Sequence, residues 1–512
     1  VRSFDDQPTR LRRTTDIVSH KGVAPSWKLE RKLKAMKSPC LLLFVCLTLL
    51  LTVDPGQTAD QLTNKEKPRA ATGPLRVHPT NGRYFTDGSS KAIYLTRAHT
   101  WNNLQDVGTT EPPAPFDFDA YLAFLENYHH NFIRLWRSEE FRWKDDAATG
   151  LFKYCEIQPW KRTGPRNALD GKPTFDLNQF DQAYFDRLRE RVAAAGDRGI
   201  YVSIMLFQGW GLRFHPFDGH LFHVDNNVNG INRDPNGDGK GTEIHTLKIP
   251  AVTRIQEAYV RKVIDTVNDL DNVLYEIANE SALLPTQGGS PDWQYHMINY
   301  VRDYESKKPR QHPVGMTSQG YGGGSDWDLL VESPADWISP NPDAFDFKNN
   351  PPAATGAKVI LPDTDHLWGV GGDRVWAWKS FLRGHNPIWM DPYNKDAIER
   401  NKVAGYRDNV LRNLGYTRRY AEKMNLAAMT PQNDLTSTKY CLANPGREHL
   451  VYQPATGGLS VNLAAGTYVV EWFNPETGEK QNDTKVSGGG QRSFQPPFDN
   501  ASVLYLKVIN DR

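Results

Sequence analysis

Short apolar runs recur eight times between Ala92 and Met390, and the stretches between them carry a different period. The runs are Ala92–Thr96, Asn131–Trp136, Ile200–Leu206, Val273–Ala278, Pro313–Thr317, Asp336–Ser339, Lys358–Pro362 and Pro387–Met390. Several intervening stretches space apolar residues three or four apart, as in Phe180, Tyr184, Leu188 and Val192, or Ile255, Tyr259, Val263 and Val267, or Trp293, Met297, Tyr300 and Tyr304. Strands that alternate with helices run parallel, because each helix carries the chain back to the edge where the next strand starts. Eight such units predict an α/β fold, a closed (β/α)8 TIM barrel, with an open doubly wound sheet as the alternative. No glycine-rich phosphate fingerprint follows any run, so a nucleotide-binding version of the open sheet has no support.

The flanks differ in texture. Residues 75–96 alternate apolar and polar positions around Asn81-Gly82 and Asp87-Gly88, the signature of a small hairpin. From about Ser437 strands such as EHLVYQ, TYVVEWF and SVLYLKV follow one another roughly every ten residues with turn residues between them, which predicts a small antiparallel β-sandwich. The expected domains are a barrel over 74–433 and a sandwich over 437–512, with Pro431–Thr436 as linker. At the other end, Cys40 to Val53 is fourteen residues without a charge, behind Arg31, Lys32, Lys34 and Lys37. That is a secretory signal pattern, and it is shorter than the roughly 20 residues of a membrane span. Residues 1–59 are therefore expected to be removed or disordered, leaving a secreted or periplasmic protein with no stable membrane anchor. Beyond that leader only Cys155 and Cys441 remain, read as two separate buried thiols.

In a parallel barrel the catalytic groups stand at the C-terminal ends of strands. The fourth run ends in Asn279-Glu280, a carboxyl beside an amide, which suits a general acid whose pKa is raised by burial. The seventh ends in Asp363 and Asp365, and the eighth in Asp391. Sugar rings need aromatic platforms and polar partners, and the strand ends supply both: His99, Trp101 and Asn103 after the first, Trp136 after the second, Gln208 and Trp210 after the third, His366 and Trp368 after the seventh. The long excursion from Phe207 to Pro250 reads as a cleft wall. Within it Asp234, Asn236, Asp238 and Gly239 occupy four places of a calcium loop, but His245 stands where the twelfth-place glutamate belongs, and His215, His220 and His223 lack the spacing of a zinc site. No metal and no cofactor is expected.

These residues carry a resemblance. The Asn279-Glu280 pair and Arg134 in FIRLW look like the clan A glycoside hydrolases, retaining enzymes on (β/α)8 barrels. HTWNNLQD (99–106), YEIANES and DTDHLWG (363–369), with a terminal sandwich, resemble cellulase-like and apiosidase-like proteins whose C-terminal domain is labelled collagen-binding. The resemblance implies that Glu280 is the acid/base and that Asn279 and Arg134 hold sugar hydroxyls and the nucleophile. The clan places a glutamate at the end of the seventh strand, where this chain has Asp363, with Asp365 two residues on. A retaining mechanism needs carboxyl groups about 5 to 5.5 Å apart and an inverting one about 6.5 to 9.5 Å. The shorter aspartate leaves both the nucleophile and the stereochemistry open.

The expected function is a secreted glycoside hydrolase acting on a plant or microbial poly- or oligosaccharide. The alternative is a non-catalytic glycan- or collagen-binding protein on an inherited barrel. With 61 basic and 60 acidic side chains the net charge of +1 gives no field to hold nucleic acid. The sequence is silent on oligomeric state.

Overall fold

In the computed structural model the eight strands of the barrel are β1 (Arg97–His99), β2 (Phe132–Leu135), β3 (Tyr201–Gln208), β4 (Val273–Asn279), β5 (Val314–Thr317), β6 (Trp337–Ser339), β7 (Val359–Ile360) and β8 (Ile388–Met390). The structure describes residues 70–144, 150–215, 217–232, 234–281, 288–318, 326–342, 345–393 and 404–509. The signal-like segment lies outside the described residues.

Strands β2 to β7 form one parallel sheet in chain order, and β8 pairs in parallel with β1. Two seams close the ring. Ile388 N–H donates to Pro362 O at 2.9 Å, joining β8 to the end of β7, and Asn131 N–H donates to Thr96 O at 3.3 Å, joining β2 to the approach to β1. Strands enclosed on both faces read as unbroken apolar runs, and β3 and β4 are buried almost throughout. The first strand is the exception to the sequence reading. It lies at Arg97–His99, just past the run Ala92–Thr96, whose Ile93 instead bridges Phe85 of the N-terminal hairpin. A buried arginine interrupts the apolar pattern, so the run stops where the barrel strand begins.

The helices follow the expected spacing: α1 (Phe118–Asn127), α2 (Gln182–Asp197), α3 (Trp210–Phe214), α4 (Pro250–Val267), α5 (Ser290–Glu305), α6 (Trp327–Glu332), α7 (Thr364–Leu367), α8 (Arg374–Leu382) and α9 (Tyr406–Lys423). Asp117, Asp181 and Asp373 cap α1, α2 and α8 by accepting from main-chain N–H groups of the first turn, each worth about 1 kcal/mol. Prolines open α4 and α5, where the missing N–H costs nothing. No helix among the described residues is long and apolar enough to cross a membrane.

The lower barrel is a packed core. Phe132, Tyr201, Leu274 and Ile388 meet inside it, with Leu75 and Phe85 of the N-terminal hairpin against them. Trp337 crosses the interior above Gly315, where a Cβ would sit 1.9 Å from the indole. Only the upper end is left for polar side chains.

The sandwich has a six-stranded sheet in the order β9 (Thr430–Pro431), β10 (Cys441–Asn444), β11 (Glu448–Gln453), β16 (Ser502–Val508), β13 (Thr467–Phe473), β14 (Lys480–Ser487), and a two-stranded sheet of β12 (Leu459–Leu463) with β15 (Gly490–Phe494). The stretch expected to be a linker already begins the outer sheet, since Thr430 and Pro431 pair with Ala443 and Leu442. The sandwich shares a core with the barrel helices: Trp378 and Phe381 of α8 and Tyr420 of α9 pack with Tyr452, Phe473 and Tyr505. Cys155 and Cys441 are both buried and free.

Candidate active site

At the centre of the upper barrel stands Arg134 on β2. Its Nε donates to Glu276 Oε2 at 2.8 Å, and its Nη2 donates to Glu276 Oε1 as well, a two-pronged pair inside the barrel. Nη1 donates to Asp363 Oδ2 at 2.9 Å and Nη2 to Asn279 Oδ1 at 2.8 Å, while the guanidinium lies 4.9 Å from the centre of the Trp136 ring. A cation this deep is tolerable only because several acceptors meet it.

Asp363 spends its carboxylate on structure. Oδ2 takes the arginine, and Oδ1 accepts from His99 Nε2 at 2.8 Å and from the Asp365 N–H at 2.9 Å. Burial works against its charge, yet His99 and Arg134 hold the carboxyl well below the usual carboxylate range. The Asp365 contact makes Asp363 the N-cap of α7. Asp365 would share the face of Asp363 only if the seventh strand continued, but the chain turns into this single helical turn instead, because the cap satisfies its first N–H groups.

That turn brings Asp365 to Glu280. Carboxylate oxygens of the two and a ring nitrogen of His366 lie within 4.8 Å of one another. Burial, then the charges of Glu280 and Asp363, push Asp365 well above the usual range, against Arg134 at 3.8 Å and a hydrogen bond from Trp101. Burial also pushes Glu280 up to about 7, against the positive charges of Arg213 and Arg134. Two like charges this close in a dry site do not both persist, so the pair keeps a proton at neutral pH. Glu280 Oε2 is buried and has no hydrogen-bond partner among the described residues.

His366 completes the group without acting as a ligand. Its Nε2–H donates to Asn279 Oδ1 at 3.0 Å, and its Nδ1 accepts from the Ser339 hydroxyl at 2.9 Å, so neither nitrogen offers a lone pair to a metal. Burial lowers its pKa to about 3, as it does for His99, and both rings are neutral.

Solved structures share this fold, two glycoside hydrolases among them. A glycoside hydrolase superposes with a TM-score of 0.55 at 11% identity, covering 86% of this chain and 98% of its own. A glycoside hydrolase family 5 protein from Bacteroides vulgatus ATCC 8482 superposes with a TM-score of 0.54 at 13% identity, covering 85% of this chain and 93% of its own. No family model matches the chain, and no curated protein matches it.

Glu280 sits in a strained backbone, φ 44°, in the left-handed region that non-glycine residues rarely enter. Its neighbours hold it there. Gly209 N–H donates to Asn279 O at 2.7 Å, and a Cβ on Gly209 would come within 2.6 Å of Glu280 O. Ser281 meets His245 Nδ1 at 2.8 Å, and that ring stacks on Trp293 at 4.3 Å with its Nε2 3.5 Å from Glu139. Glu139, held down to about 2 by Arg137 and His245 despite its burial, accepts from Gln208 N–H at 3.0 Å.

The remaining sequence-nominated residues divide. Trp101 is half-buried against Trp136, Met205 and Met390. Trp210 is 42% exposed, edge-on to His215 at 4.8 Å, with Phe214 beside it. His215 in turn pairs with Glu140 at 2.5 Å and stacks on Trp143. Asn103 is corrected from a sugar contact to a strand clamp, because it donates to Arg134 O at 2.8 Å and accepts from Trp136 N–H at 2.6 Å. Asp391 likewise is bound by Arg407 at 2.7 and 3.0 Å. Trp368 packs edge-on to Trp376 of α8. The sequence reading sets Glu276 on the inward face with Glu280 without giving it a role, meets His245 only as the misfit in the calcium-like loop, and names neither Glu139 nor Arg97. A charged residue at an inward position of an otherwise apolar barrel strand was the available signal for Glu276 and Arg97.

Proposed function

We propose that this chain is a glycoside hydrolase in which Glu280 protonates the leaving oxygen and Asp365 attacks the anomeric carbon. The observation that carries the reading is the approach of two buried carboxyl groups to within 4.8 Å. That is close to the roughly 5 to 5.5 Å of a retaining double displacement, and short of the gap an inverting enzyme leaves for water. In the first step the Glu280 proton passes to the glycosidic oxygen as an Asp365 oxygen bonds to the anomeric carbon and the leaving sugar departs. In the second, Glu280 takes a proton from water, whose oxygen displaces Asp365. Arg134 and Trp101 favour the charge on Asp365, and once Glu280 holds the proton its repulsion of Asp365 is gone. Asp363 then acts as counterion and helix cap rather than nucleophile.

The half-exposed Trp101 and exposed Trp210 are assigned to the sugar rings, with a plant or microbial poly- or oligosaccharide as substrate. The names of the two structural neighbours agree with hydrolysis of a glycoside. We assign residues 1–59 to a leader removed on export, which gives a secreted or periplasmic enzyme. The sandwich, 437–512, is assigned a supporting role beside the barrel of 74–433, since its large aromatic side chains face inward.

The test is hydrolysis of a panel of oligosaccharides by the parent protein and by Glu280→Gln, Asp365→Asn and Asp363→Glu, with NMR of the first-formed anomer. Release with net retention, lost in the first two variants, is expected. Equal release by Glu280→Gln removes the acid assignment, and inversion removes the double displacement. Binding of glycan or collagen without any cleavage returns the chain to an adhesion role.

A further inference from the structure

Between β2 and α2 the chain leaves the barrel and builds two small antiparallel sheets. Arg142–Lys144 and Phe152–Glu156 pair with each other, the latter also with Asp106–Gly108, while Trp160–Asn167 pairs with Pro173–Phe180. Both sheets contribute to the wall of a cavity of about 580 Å³. Neither Glu280 nor Asp365 lines it.

The charges of the wall are matched at short range. Arg162 donates to Asp170 at 2.5 Å, Lys172 reaches Glu111 at 2.8 Å and Glu156 at 3.2 Å, and Arg187 donates to Asp106 at 2.8 Å. Fixed donors therefore stand beside fixed acceptors with little net field to attract an ion. Two wall residues carry polar atoms without a hydrogen-bond partner among the described residues: Gln158 Oε1, an acceptor, and Trp160 Nε1–H, a donor. Gln158 is 7% exposed and Trp160 2%. Both atoms lie beneath the accessible surface of the wall. Tyr154 adds a half-buried ring to the same wall.

We propose that this insertion is a second carbohydrate-binding site, separate from the carboxylate pair and taking a neutral oligosaccharide. Hydroxyl groups donate and accept at once, so neighbouring hydroxyls on a sugar match adjacent ammonium, guanidinium and carboxylate groups, and the ring face meets Tyr154. The volume lies in the roughly 300–1,000 Å³ range of small-molecule pockets. The choice of carbohydrate rests on the hydrolase reading; the existence of the site does not.

Calorimetric titration of the full Glu280→Gln chain with β-1,4-linked glucose, mannose and xylose tetrasaccharides tests it. Two binding events are expected with at least one of the three. Lys172→Met and Tyr154→Ala should each weaken one event at least tenfold, with Lys172→Arg restoring it. One event or none, or two events indifferent to both variants, overturns the proposal. A protein that cuts no glycoside yet still loses an event in Lys172→Met defeats the hydrolase reading alone, whereas hydrolysis with a single event defeats the second site alone.

Discussion

The upper barrel and the sandwich use aromatic residues in opposite ways. Around the carboxylate pair Trp101 is half-buried and Trp210 is exposed, and beneath them Arg134, Glu276, Asp363 and His99 fill the interior with polar groups. In the sandwich Tyr440, Tyr452, Tyr468, Trp472 and Tyr505 are all buried, and among the described large hydrophobic residues only Val469 is exposed. One region keeps rings where a ligand can reach them and tolerates buried charge to do so. The other places its rings in the core, where they add cohesion.

That contrast can be broken by substitution. The largest effect is expected from Asp365→Asn, with kcat lowered on the order of 10⁴-fold while the unfolding midpoint changes little; Glu280→Gln should lose about 10²- to 10⁴-fold on substrates with poor leaving groups. Steady-state kinetics beside a urea titration separates the two readouts. Phe473→Ala, in the core shared by sandwich and barrel helices, should do the reverse. It is expected to cost about 3–5 kcal/mol of stability with kcat unchanged in the folded fraction; a matching loss of kcat would give the sandwich a part in catalysis.

The pH dependence sharpens the comparison. Glu280 rises from an ordinary 4.5 to about 7 in the folded protein, chiefly through burial. Activity that needs its proton therefore declines as pH rises through about 7. The stability linked to that proton is complete below 4.5 and is lost as pH rises through 7. Glu280→Gln should accordingly be more stable than the parent at pH 8 by roughly 3 kcal/mol and nearly equal to it at pH 4, read from urea midpoints at the two values. The smallest effect belongs to Trp210→Ala, a KM raised about tenfold, equivalent to about 1.4 kcal/mol, with no shift in thermal midpoint.

Much of the barrel was legible because its strands are covered on both faces, which leaves an apolar run in the sequence wherever a strand lies. β1 escaped because Arg97 interrupts that code, and the polar sandwich strands β14 and β15 escaped because edge strands carry few apolar residues. Asn279, Glu280 and the Asp363–His366 stretch could be nominated from their place after strands. The division of labour between Asp363 and Asp365 could not. It depends on a helical turn that begins one residue after Asp363, and strand parity predicts the wrong continuation. Asn103 and Asp391 show the same limit: residue type and position suggested a ligand, but partners distant in the chain, the main chain of β2 and Arg407, had already claimed them.

Asp363 joins two duties in one side chain, since the carboxylate that neutralises Arg134 also starts the helical turn bearing Asp365. Charge and placement are therefore inherited together, and a substitution at 363 moves both at once. A lineage could shift the reactive oxygen by redesigning that short turn while leaving the buried cation satisfied, which makes the turn, more than the strand before it, the place where related barrels can diverge in geometry.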